Sequence, residues 1–226
     1  EGLESTPISL EGLRMLIFQS CALGHTLFAG DVTGAYLETK LGQGAPEIWV
    51  EVPEQLRKLK SKWARMNCPM VQLIKALYGL PRAGHDWDRY MRSILAKKGW
   101  EPLDNMNSIY AKTIRGELCL LGVYVDDMVV SCPDSHVDLV RKELCTGEQS
   151  FPIEWNDYEP AKTVKGVTTQ NIDLRFLGVH VIISRSGDIS NVTFAQTDYA
   201  KSIVEVYEDK CKRKCRSAWT PSVKPD

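Results

Sequence analysis

The 226-residue sequence predicts an α+β protein in which helices pack on an antiparallel sheet. Two observations lead there. Apolar runs of strand length recur between tight polar turns, above all Glu117–Val125 and Met128–Cys132 on either side of Asp126-Asp127. Elsewhere the period becomes helical: Trp87, Tyr90, Met91, Ile94 and Leu95 fall at i, i+3, i+4, i+7 and i+8, and Gly99 ends the pattern. No internal repeat is present.

The elements follow in order. A helix is predicted over Leu10–Leu23, with Leu13, Leu16, Ile17 and Ser20 on one face, Ser9 as its cap and Gly24 as its stop. A strand over Thr26–Val32 carries Asp31 near its end. After the Gly-rich stretch Thr39–Pro46, the alternation of Ile48, Val50 and Val52 reads as an edge strand or hairpin arm. A basic segment between Gln55 and Arg65 comes next, then a buried strand over Met70–Leu77 and a Gly/Pro turn, Tyr78–Gly84. Beyond the Trp87 helix, strands are expected at Asn107–Lys112, Glu117–Val125 and Met128–Cys132, the last two forming a hairpin with its aspartates at the tip. Asp134 or Ser135 caps a helix reaching Leu144, with Val137, Val140 and Leu144 as its stripe. From about 147 to 173 the pattern dissolves into polar sequence and reads as an inserted surface loop. Strands Leu174–Ile183 and Ile189–Phe194 and a helix capped by Thr197 complete residues 1–209, and 210–226 reads as a basic, Pro-containing tail.

Composition sets bounds on function. The length fits one large domain or two small ones with a real core. No apolar run reaches the roughly 18 residues of a membrane span, and Glu1-Gly2-Leu3-Glu4 lacks the features of a signal peptide. Seven scattered cysteines without a CxxC pair, and four scattered histidines, argue against a structural zinc site. Cysteines inside apolar runs, such as Cys119, read as buried reduced thiols, which fits an intracellular protein with no membrane partner. The net charge of −1 gives nucleic-acid binding no support by itself.

The chemistry lies in the carboxylates. A lone Asp126-Asp127 pair is an ordinary hairpin tip, because Asp is a common turn former. Asp31, however, also ends an apolar strand. If the two strands are neighbours, three carboxylates converge and repel one another, and divalent cations relieve that repulsion. Hard oxygen donors select Mg²⁺ or Mn²⁺. Two such ions about 3.5–4 Å apart clamp the attacking and leaving oxygens of an in-line phosphoryl transfer.

Taken in order, Asp31-Val32-Thr33-Gly34-Ala35-Tyr36-Leu37, Leu77-Tyr78-Gly79-Leu80-Pro81-Arg82-Ala83 with Trp87, Tyr124-Val125-Asp126-Asp127 and Phe176-Leu177-Gly178-Val179 resemble the motifs of copia-type retrotransposon reverse transcriptases. The resemblance runs from about Leu10 to Pro221 and includes Ala195-Gln196 with Tyr199. It implies a right-hand polymerase palm with partial fingers and a YVDD β-hairpin, acting as an RNA-directed DNA polymerase. Asp31 and Asp126 match the two metal-binding aspartates, Asp127 the auxiliary carboxylate, and the Val32 carbonyl a further ligand to two Mg²⁺ or Mn²⁺ ions. Tyr36 matches the aromatic residue beneath the incoming sugar, where it excludes a ribose 2′-hydroxyl. Phe176, Leu177 and Gly178 match the hairpin that positions the primer.

Arg82 stands where the family usually has a glutamine that contacts the nucleotide. Arginine there either binds phosphate or impairs catalysis. Trp87 and Tyr90 read as base-stacking groups or, by their helical spacing, as core. The implied partners are a primed RNA or DNA template, deoxynucleoside triphosphates, and the integrase and ribonuclease H of the same polyprotein. The upstream basic fingers strands and most of the thumb are expected beyond these residues. Two alternatives stay open: an inactive remnant of such an element, and a binding module that uses the basic runs Arg57–Arg65 and Lys210–Arg216.

Overall fold

The computed structural model describes residues 6–41 and 47–215. The chain divides into two units, Glu1–Ala161 and Lys162–Asp226. The first runs α1 (Leu10–Ala22), β1 (Thr26–Val32), the single turn α2 (Ala35–Glu38), β2 (Trp49–Glu51), α3 (Glu54–Arg57), α4 (Ser61–Ala64), β3 (Met70–Gln72) and α5 (Ala83–Lys97). Then come β4 (Glu101–Pro102), β5 (Ile109–Ile114), β6 (Glu117–Tyr124), β7 (Asp127–Cys132), α6 (Val137–Cys145) and β8 (Ile153–Trp155). The second unit holds β9 (Lys162–Val164), β10 (Val167–Phe176), β11 (Val179–Ser186), β12 (Ile189–Ala195) and α7 (Thr197–Cys211).

The first unit is built on a six-stranded antiparallel sheet in the order β4-β5-β6-β7-β1-β8. β1 is apolar along almost its whole length because both its faces are covered. Phe28 and Val32 join a core with Trp87, Met91 and Leu95 of α5 and with Val137, Val140 and Leu144 of α6. α1 packs on β1, β6 and β7 and buries Leu13, Leu16 and Ile17, and its Ser9 hydroxyl accepts from the Gly12 amide at 3.1 Å. Two glycines allow close approach: a Cβ on Gly122 would meet Ile8 Cδ1 at 2.7 Å, and one on Gly30 would meet Ile153 Cγ2 and Trp155 Cε3 at 2.6 Å. Neither position has room for a methyl group.

The second unit is a four-stranded antiparallel sheet, β12-β11-β10-β9, followed by α7. Strict alternation along β10 and β11 buries Ile172, Leu174, Phe176, Val181 and Ile183. Charge is divided between the units. Residues 162–226 carry eleven Lys and Arg against seven Asp and Glu, net +4, and residues 1–161 carry seventeen against twenty-two, net −5.

Several elements differ from expectation. The buried strand expected over Met70–Leu77 is the short β3, and Met70, Ile74 and Leu77 are exposed. Among the described residues the sheet formed by β2 and β3 has only two strands, whose side chains are exposed or half-buried. The segment 147–173 is no structureless insertion: it contains β8, β9 and more than half of β10. It looked polar because β9 is exposed throughout and β10 has one exposed face, while its buried Gln170 pairs with Arg185 (Nη1 to Oε1, 3.3 Å). The strand expected over Leu174–Ile183 is broken at Leu177-Gly178, both at positive φ, the signature of a tight hairpin turn. Helix α7 continues into the expected tail as far as Cys211 and lacks a side-chain cap. Helix α6 also lacks one: a 3-10 turn over Asp134–His136 precedes it and puts His136 at the cap position, while the Asp134 carboxylate accepts from Thr26 Oγ1 at 2.8 Å. Residues 42–46 of the Gly-rich stretch and 216–226 of the tail lie outside the described residues.

Candidate active site

β1 lies between β7 and β8, and this order sets the geometry of the site. Asp31 is the register partner of Asp127 on β7 and of Glu154 on β8. Partners across antiparallel strands share a face, so Glu154, Asp31 and Asp127 form one row of carboxylates over three neighbouring strands. Asp126 adjoins the row from the β6–β7 turn, and its carbonyl accepts from the Val32 amide at 2.9 Å. The two strands that carry Asp31 and Asp127 are therefore adjacent, and the backbone next to Asp31 is hydrogen-bonded to Asp126 itself.

The acidities follow from this crowding. Burial, then the charges of Asp126 and Glu154, raise the Asp31 carboxyl above its ordinary value. Burial, then Asp126 and Asp31, raise Asp127 in the same direction. Among the described residues no three His, Cys, Asp or Glu side chains close into a finished metal cage. The donor set nevertheless fits a hard divalent cation: oxygen ligands only, with mutual repulsion that a cation would relieve.

The turn carrying Asp126 is held under strain. Val125 has φ 57°, a region in which a β-branched residue is an outlier costing on the order of 1–3 kcal/mol. The other two-residue turns among the described residues, Arg115-Gly116, Lys165-Gly166, Leu177-Gly178 and Gly187-Asp188, each contain a glycine. Trp87 fixes the strained residue. Its ring is buried in the core, and its indole N–H donates to the Val125 carbonyl at 2.6 Å. Trp87 is thus a core residue whose polar edge supports the acidic turn.

Tyr36 lies on α2, one turn beyond Asp31. Its phenol is raised above the ordinary value by burial, then by Asp126 and Tyr78. Its ring meets that of Tyr78 at 4.7 Å between centroids. Arg82 immediately precedes α5, and its Nε and Nη2 donate to Asp86 at 2.7 and 2.9 Å. The Asp86 carboxyl is held below the ordinary range, first by these hydrogen bonds. Phe176, Leu177 and Gly178 belong to the second unit. There Phe176 is buried, and Gly178 helps line a cleft of about 360 Å³ with Arg175, His180 and the first residues of α7.

Sequence reasoning missed Glu154, the ring contact of Tyr78 with Tyr36 and the hydrogen bond of Trp87. The alternation Ile153-Glu154-Trp155 was the one available sign of β8, and it is three residues long.

The chain belongs to the reverse transcriptase (RNA-dependent DNA polymerase) family, in its copia-type branch, and the family model matches residues 3–223. Among curated proteins it is similar to the Transposon Ty1-DR1 Gag-Pol polyprotein of Saccharomyces cerevisiae, 24% identical over 152 residues, or 67% of this chain and 8% of that protein. It is also similar to the Truncated transposon Ty1-A Gag-Pol polyprotein of the same yeast, 26% identical over 117 residues, 51% of this chain and 9% of that protein. The chain therefore spans less than a tenth of the length of these relatives. No solved structure matches it significantly. Among the described residues no helix is long and apolar enough to cross a membrane.

Proposed function

We propose that the chain is the palm and part of the fingers of an RNA-directed DNA polymerase that adds deoxynucleotides to a primer. One observation carries this reading: the antiparallel pairing of β1 with β7 gathers Asp31, Asp126 and Asp127 at one end of the sheet. Asp31, Asp126 and the Val32 carbonyl would hold two Mg²⁺ or Mn²⁺ ions, with Asp127 as the auxiliary carboxylate. When bound, the ions supply charge stabilisation to the attacking and leaving oxygens. The primer 3′-oxygen bonds to the α-phosphorus of the deoxynucleotide, and pyrophosphate leaves.

The chain's own groups position the reactants. Trp87 and the Val32 amide hold the Val125-Asp126 turn in place. Tyr36 lies under the incoming sugar and rejects a 2′-hydroxyl. Phe176, Leu177 and Gly178 position the primer end, and Arg82 faces nucleotide phosphate once released from Asp86. A primed RNA or DNA template is the partner, and in the longer polyprotein integrase and ribonuclease H accompany this domain within the cell.

Extension of a DNA primer on an RNA template with Mg²⁺ tests the reading. Incorporation by the parent chain that disappears in Asp126→Asn is expected. Extension surviving in that variant would overturn the metal assignment. Binding of primer–template without extension would instead favour a non-catalytic remnant, the reading supported by the engagement of Arg82 with Asp86.

A further inference from the structure

We infer that Tyr78 is a specificity-determining residue: its ring braces Tyr36 and so sets how sharply the site separates deoxynucleotides from ribonucleotides, an inference that rests on the proposed role of Tyr36. Discrimination by collision depends on stiffness. A ring that can tilt away admits the group it should exclude, and functional side chains need their own packing to stay within roughly 0.5 Å of position.

Tyr36 cannot get that stiffness from its own element. α2 has four residues, begins at Gly34 with φ 65°, and has no side-chain cap. So short a helix is not self-supporting. The support comes from the rest of the chain: half-buried Tyr36 packs against the core, and one further ring meets it. The Tyr78 ring meets that of Tyr36 with centroids 4.7 Å apart and planes tilted by 47°, within the separation at which aromatic rings attract.

Backbone contacts on both sides aim the Tyr78 ring. Before it, the segment is pinned to the exit of α2: the Ala76 amide donates to the Thr39 carbonyl at 2.8 Å, and the Leu41 amide to Ile74 at 3.1 Å. Lys40 and Lys75 form a β-bridge between these bonds. After it, the Leu80 amide closes a turn on the Leu77 carbonyl at 3.2 Å, with Gly79 at φ 93°. Tyr78 is the first central residue of that turn, where a positive-φ glycine in second place is the type II pattern. Because Tyr78 itself is 53% exposed, it adds little to the core. Its contact with Tyr36 is separable from folding.

The test compares dATP with ATP in single-nucleotide addition by the full chain on a primed RNA template. The same ratio, read as ternary-complex affinity on a dideoxy-terminated primer, needs no turnover. Tyr36→Val should sharply raise the ATP:dATP ratio, which checks the underlying reading. Tyr78→Ala should raise it about 3- to 10-fold, with unchanged melting temperature, while Tyr78→Phe, which keeps the ring, should match the parent. A ratio that moves in Tyr36→Val but not in Tyr78→Ala overturns the brace and leaves the role of Tyr36 standing. A ratio unmoved in Tyr36→Val sinks that role, and the brace with it. Equal shifts in Tyr78→Ala and Tyr78→Phe would assign the effect to the hydroxyl and also overturn the brace.

Discussion

Asp31, Asp127 and Glu154 stand in one cross-strand row, and like charges directly opposite one another are destabilising. Asp31 and Asp127 are both raised above the ordinary carboxylate value, by burial first and by their neighbours second. A carboxyl raised on folding stabilises the fold fully below its unfolded value of about 3.9, and that contribution is lost as pH climbs through the folded value. At neutral pH without metal the site therefore opposes folding. In EDTA, Asp31→Asn should melt above the parent at pH 7, with the gap closing as pH falls toward about 4. The same change should lower polymerisation by about 10²-fold or more in primer extension. Trp87 reverses the stability effect and keeps the loss of activity. Trp87→Phe keeps an aromatic ring but orphans the Val125 carbonyl, so unfolding in urea should show a loss of about 1–3 kcal/mol. Its nucleotide addition should slow in kcat more than it weakens in KM, since what moves is Asp126.

At the scale of elements, β8 is the strand that completes the site, and it lies against β1 because Gly30 has no side chain. Gly30→Ala would drive a methyl into Ile153 and Trp155, with an expected loss of about 1–3 kcal/mol in denaturant titration and displacement of Glu154 from Asp31. On the same face Arg141 of α6 holds β8 to β1, its guanidinium lying 5.0, 5.7 and 4.8 Å from the ring centres of Phe28, Trp155 and Tyr158. None of this was legible in the sequence. β1, α1, α5 and the β5–β7 strands were, because each carries a long, one-period apolar pattern. β8 is only three residues long, and β10 alternates with polar groups that find partners only once β11 lies alongside. The candidate site divides in the same way. Asp31, Asp126 and Asp127 announce themselves by interrupting apolar runs, whereas Glu154, Tyr78 and the indole N–H of Trp87 acquire their roles through register and reach between distant segments.

For the molecule as a whole, the formal charge of −1 conceals a division, −5 in residues 1–161 and +4 in residues 162–226. The acidic unit holds the Asp31, Asp126 and Asp127 carboxylates, so on the proposed function attraction for a polynucleotide falls to the second unit, where Lys212-Arg213-Lys214 follow the end of α7. Replacing these three by alanine should weaken primer–template binding and reduce the slope of log affinity against log salt by about 3. A fluorescence-anisotropy salt titration reads both. An unchanged slope would place the phosphate contacts elsewhere. The division also bears on how the protein migrates. In native electrophoresis at neutral pH the intact chain should scarcely leave the origin. A cut at the Ala161–Lys162 boundary should send its two pieces toward opposite electrodes, although nothing in the mobility of the uncut chain would betray them.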